Sequence, residues 1–127
     1  MAVKKILVVE DDPVNAHVLR ELFDAFGYRT VLATSGPQGI ALFHAEMPDL
    51  VIVDVLLPHK NGFEVCHELK LTDAGRRTPL FLMSAVLDDL TSAHERLDRD
   101  MKAQAYFVKP FDIATLLDNV QFYVGAA

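Results

Sequence analysis

The sequence predicts an α/β fold, a five-stranded parallel sheet with helices on both faces. Three observations carry this. Short apolar runs rich in valine, leucine and isoleucine recur five times along the chain. Most are apolar at consecutive positions, the pattern of strands covered on both sides. Segments of helical period separate them, which implies parallel strands joined by right-handed crossovers. With 127 residues, 51% hydrophobic and 24% charged, the chain suits one domain over residues 1–127, since a core of useful size needs roughly 100 to 150 residues.

The first run, Lys5 to Val9, leads to Asp12 and Pro13, a cap and a first-turn residue for a helix in which Val14, Val18, Leu22 and Phe26 recur every four residues. Gly27 ends that helix. After the second run, Arg29 to Ala33, Ser35 and Gln38 make a capping box for a helix through Ala45 that Pro48 stops. The third run, Leu50 to Val53, is followed by Asn61 as cap of a helix with Phe63, Val65, Cys66 and Leu69 inward. The fourth, Leu80 to Met83, precedes a helix capped by Ser92 with Glu95 ahead of Leu97 and Met101, or begun earlier by Asp88, Asp89 and Thr91. The fifth, Ala105 to Val108, leads to a last helix from Asp112 with Ile113, Leu116, Leu117 and Val120 on one face.

Composition narrows the function. A formal net charge of −6 argues against a surface that neutralises nucleic-acid phosphates. Lys4-Lys5 opens onto a short strand rather than a secretory signal, and no stretch approaches the roughly 18 apolar residues of a membrane span. A single cysteine, Cys66, cannot form an internal disulfide and fits a reducing cytoplasm. On the inner face of a helix it reads as packing. The five histidines are scattered, without the spacing or cysteine company of a zinc site.

In parallel α/β sheets ligands bind beyond the carboxyl ends of the strands. Here those ends carry Glu10-Asp11-Asp12, Asp54, Ser84 and Lys109-Pro110. If the first and third strands are neighbours, Glu10 or Asp11 lies close to Asp54, and such like charges need a cation between them. A hard divalent ion that takes one or two carboxylates and keeps its waters suits Mg²⁺. An Asp54 oxygen could then attack a phosphoryl group whose other oxygens are shared among Mg²⁺, the Lys109 ammonium and the Ser84 hydroxyl, giving an acyl phosphate. Singly, Asp12 reads as a helix cap, Ser84 as a loop hydroxyl and Lys109 as a solvated side chain. Their joint appearance at the strand ends favours the site.

The sequence resembles the receiver domain of bacterial two-component response regulators, of the chemotaxis-regulator type. The resemblance rests on Ile6 to Pro13, Asp54-Val55-Leu56-Leu57-Pro58, Asn61-Gly62-Phe63-Glu64, Ser84-Ala85 and Lys109-Pro110-Phe111, and it covers essentially the whole chain. It implies a flavodoxin-like, doubly wound sheet of order 2-1-3-4-5 with five helices. It also implies Asp54 as phosphoacceptor and Mg²⁺ on Glu10, Asp11, Asp54 and the backbone carbonyl of Leu56. Lys109 would pair with the phosphate ahead of a cis proline. Ser84 and Tyr106 would form the switch, remodelling the face made by the fourth predicted helix, the fifth strand and the last helix. The implied partners are a sensor histidine kinase or phosphotransfer protein, and downstream a protein partner or an output domain outside this chain. The implied role is regulatory, not enzymatic, beyond assisting its own phosphorylation and dephosphorylation.

Two departures stand out. Ser84 to Lys109 spans 25 steps and lacks the family's usual glycine before the fifth strand, so the region of the fourth predicted helix should be atypical. Leu56 and Val86, at positions that tune phosphoryl lifetime in the family, are apolar and cannot orient an attacking water, which predicts slow self-dephosphorylation. Three rival functions compete. A flavin module would need a phosphate-cradling loop where Glu10-Asp11-Asp12 stands. A phosphatase of the haloacid dehalogenase type would want a second acid at Leu56. A receiver-like interaction module acting without phosphorylation would not need the full set Glu10, Asp11, Asp54, Ser84 and Lys109.

Overall fold

All five apolar runs form strands in the computed structural model, which describes residues 3–85 and 103–125. These are β1 Lys5–Val9, β2 Arg29–Ala33, β3 Leu50–Asp54, β4 Leu80–Ser84 and β5 Ala105–Val108. They pair in parallel in the order β2-β1-β3-β4-β5, the order that the resemblance implied. Five helices lie among the described residues: α1 Pro13–Ala25, α2 Gly36–Glu46, α3 Gly62–Lys70, α4 Asp73–Arg77 and α5 Ile113–Val124. The predicted helix near Ser92, with Val86 before it, lies outside the described residues. The five-residue α4 is a different element, begun by Thr72, whose hydroxyl accepts from the Gly75 N–H at 3.0 Å.

The period-2 alternation of the strands divides the core in two. Leu7, Val9, Val51, Val53, Leu80 and Leu82 face α2 and α3, meeting Phe43, Val65, Cys66 and Leu69. Ile6, Val8, Leu50, Ile52, Phe81 and Met83 face α1 and α5, meeting Leu19, Phe23, Leu116, Leu117 and Val120. Both faces of the sheet are therefore apolar, as consecutive apolar positions require.

The caps follow the sequence closely because they are local hydrogen bonds. Asp12, Ser35, Asn61 and Asp112 each accept a backbone N–H of the first turn that follows. In the second helix, Gln38 Oε1 turns to the Thr34 N–H at 2.7 Å, one residue before the cap.

The inward face of α1 differs from the four-residue row. Ala16, Leu19 and Phe23 are buried, while Val14, Val18 and Phe26 are exposed. Four residues turn a helix by about 400°, so a strict four-residue row drifts by roughly 40° per step and winds off the core face. Ile113 is likewise exposed at the start of α5, although Leu116, Leu117 and Val120 are buried as expected.

Candidate functional site

The register of the central strands builds the site. Val9 lies opposite Val53, so Glu10 and Asp54 emerge side by side where the strand order reverses, between β1 and β3. Chains leaving β1 and β3 then diverge to α1 on one face and α3 on the other, which opens a crevice above the strand ends. The backbone just after Asp54 is held from both sides, at Val55. Val55 N–H donates to the Met83 carbonyl at 2.9 Å, and Gly62 N–H donates to the Val55 carbonyl at 2.9 Å. A β-carbon on Gly62 would sit 2.4 Å from the Asp54 carbonyl oxygen, so only glycine lets α3 begin against the residue it supports.

Within this frame Glu10, Asp11 and Asp54 each present a carboxylate oxygen, all within 4.8 Å of one another. Glu10 and Asp54 are buried, at 1% and 5% exposure, while Asp11 is exposed at the rim. Lys109 enters from the end of β5, its N–H bonded to the Ser84 carbonyl at 2.8 Å. Its ammonium donates to Glu10 Oε1 at 2.9 Å and pairs with Asp54 Oδ2. Asp54 Oδ1 accepts the Leu56 N–H at 2.9 Å, while the Leu56 side chain is exposed. Asp12 is turned away, capping α1 through the Val14 N–H at 3.0 Å. The Lys109–Pro110 peptide is cis.

Ser84 ends β4 fully buried, opposite Val108. Tyr106, opposite Leu82, is half-buried against the core on the α2 and α3 side. Burial raises the pKa of its phenol, against the pull of a hydrogen bond with the Ala103 backbone.

The electrostatics record an excess of negative charge. Burial pushes the Glu10 carboxyl up to about 7, and the adjacent Asp54 carboxylate adds to this, against the pull of Lys109 and Asn15. Burial alone would lower Lys109, but its bonds to Asp54 and Glu10 outweigh that and raise it. Among the described residues, one ammonium thus faces two buried carboxylates and a third at the rim. Glu10 Oε2 is buried with no hydrogen-bond donor among the described residues. A clustered set of hard oxygens, one of them orphaned, fits a hard divalent cation such as Mg²⁺.

Asn15 escaped the reading of the sequence, where an asparagine in the first turn of a helix looks like a solvated residue. Its amide Nδ2 donates to Glu10 Oε1 at 3.0 Å. Only the path of the chain from β1 into α1 discloses the contact.

The chain belongs to the response regulator receiver domain family of two-component systems, whose model matches residues 6–121. Among curated relatives, the polar-differentiation response regulator DivK of Brucella anthropi is 31% identical over 124 residues, covering 98% of each chain. Among solved structures, the receiver domain of the sensor histidine kinase PA1611 from Pseudomonas aeruginosa PAO1 superposes with a TM-score of 0.85 at 28% identity, covering 98% of this chain and 100% of that one. That structure carries a magnesium ion in its active-site cleft. The Vibrio cholerae chemotaxis protein CheY4, at 24% identity, shares the fold with a TM-score of 0.83, covering 96% of this chain and 99% of that one. No helix among the described residues is long and apolar enough to cross a membrane.

Proposed function

We propose that this domain takes a phosphoryl group from a histidine kinase or phosphotransfer protein onto Asp54. In this reading Glu10, Asp11, Asp54 and the Leu56 carbonyl hold Mg²⁺, which supplies positive charge to offset the carboxylates and the incoming phosphoryl oxygens. A single observation carries the reading. Asp54 is a buried carboxylate fixed at one oxygen by the Leu56 N–H and at the other by the Lys109 ammonium, beside two further acids.

The chain's own residues divide the work. An Asp54 oxygen attacks phosphorus, forming the acyl phosphate as the bond to the donor's histidine nitrogen breaks and that nitrogen leaves. Lys109 exchanges its pairing with Asp54 for a phosphoryl oxygen, keeping one positive charge beside the new anion. Ser84, buried at the end of β4, is the hydroxyl that closes on the phosphoryl group, and Tyr106 on the adjacent strand follows it. This biases a two-state surface around β5 and α5 toward a downstream partner or a linked output domain.

Incubation with Mg²⁺ and acetyl phosphate, followed by intact-mass measurement, tests the assignment. Wild type should gain one phosphate that Asp54→Ala does not. Equal labelling of both proteins would remove Asp54 from the reaction.

A further inference from the structure

Among the described residues, Glu10 accepts hydrogen bonds at one oxygen only. Its Oε1 accepts two donors, Lys109 Nζ at 2.9 Å and Asn15 Nδ2 at 3.0 Å, while Oε2 has none among the described residues. The two donors differ in kind. Lys109 also serves Asp54, and in the function proposed above it leaves for the phosphoryl group. Asn15 is anchored in the first turn of α1, three residues after the cap Asp12, and is neutral. It has no charge to draw it to a phosphate.

We infer that Asn15 is a positioning residue that fixes Glu10 through Oε1 and so keeps Oε2 available to the divalent cation, whether or not Lys109 is engaged elsewhere. Partners that orient a metal-binding side chain are commonly worth about 10- to 100-fold in metal affinity. The inference rests on the proposed Mg²⁺ site and adds a residue to it. The plain alternative is that Asn15 merely helps α1 begin. Leucine separates the two, because it matches asparagine roughly in size, forms helix better, and has no donor.

The experiment is calorimetric titration of the unphosphorylated protein with Mg²⁺, with thermal melts in EDTA as a folding control. Asn15→Leu should melt as wild type does in EDTA yet bind Mg²⁺ about 10-fold more weakly. Asn15→Gln, which keeps an amide, should stay within about 3-fold of wild type on the same scale. If the leucine variant is unstable, Asn15→Ala supplies the same comparison. Wild-type affinity in both donor-free variants would overturn the inference, as would a glutamine variant as weak as the leucine one. Failure of wild type itself to bind Mg²⁺ would instead overturn the metal site, and the inference with it.

Discussion

Two lysines send their ammonium groups inward at opposite ends of the sheet, and they are held in opposite ways. Lys109, after β5, meets the carboxylates of Glu10 and Asp54. Lys70, at the end of α3, is 1% exposed and meets neutral oxygens: the carbonyls of Gly75 at 3.0 Å and Thr78 at 2.9 Å, and Gln104 Oε1 at 3.3 Å. Gln104 Oε1 also accepts the Leu80 N–H at 2.7 Å, so this ammonium ties α3, the turn around α4 and the starts of β4 and β5 together. Burial lowers the Lys70 pKa, only partly offset by Cys66, whereas the carboxylates raise that of Lys109. A charge satisfied by carbonyls has nothing to exchange and serves the fold. A charge outnumbered by carboxylates can be shared with an incoming cation or anion, and serves the chemistry.

The largest effect should come from the neutral cage. Lys70→Met keeps the bulk of the side chain but removes the buried ammonium that joins the Gly75 and Thr78 carbonyls to Gln104 Oε1, leaving the Gly75 carbonyl the Thr78 N–H at 3.3 Å, and should cost about 3 kcal/mol in urea unfolding. A loss under about 1 kcal/mol would mean that the cage is not structural.

Next comes the carboxylate end in EDTA. Glu10 titrates near 7 in the fold against an ordinary value of 4.5, so the folded state binds the extra proton between those values. Stability contributed by this proton is complete below about 4.5 and is lost as pH rises through about 7. The fall is on the order of 3 kcal/mol, one pKa unit being worth about 1.4 kcal/mol. Glu10→Gln should flatten that slope, and an unchanged slope in the variant would assign it to other groups.

Lys109→Met should destabilise the protein in EDTA by about 2 kcal/mol, since it leaves the buried carboxylates uncompensated except by protonation of Glu10. Millimolar Mg²⁺ should restore most of the loss, as read by thermal melts. No such rescue is expected for Lys70→Met, and rescue of both would erase the contrast between the two ends. The alkaline behaviour also separates them. Lys109's contribution is lost as pH rises through its raised folded pKa, whereas the burial cost of Lys70 is relieved as pH climbs from its lowered pKa towards 10.5.

The smallest effect concerns the loop joining β3 to α3, beside the carboxylates. His59 holds a left-handed backbone at φ 67°. His59→Gly relieves that strain at the cost of a looser unfolded chain, and should stabilise by about 0.5 kcal/mol. Destabilisation in urea would show that the imidazole makes contacts worth more than the strain.

Much of this architecture was legible in the residues. Strand runs and helix caps were read almost to their boundaries, because consecutive apolar side chains and side-chain-to-backbone hydrogen bonds are local. The inward face of α1 was not, since it depends on where the helix axis lies on the sheet. α4 escaped because Asp73–Arg77 is one short turn with no apolar period. Lys70 reads as an ordinary solvated residue at a helix end, and only the turn folding back over it shows its ammonium to be buried.

At the site, the strand-end acids, Ser84 and Lys109 were visible by order and spacing alone, because the β/α alternation forces every such end to one edge of the sheet. The division of labour among them was not. Glu10 is buried and Asp11 exposed because of how the chain turns from β1 into α1, and that same turn brings Asn15 back onto Glu10. Sequence determined which chemical groups stand at the sheet's carboxyl edge. Tertiary structure decided which carboxylates lose water, which lysine meets them and which amide holds them, because burial and pairing depend on distances that no single segment contains.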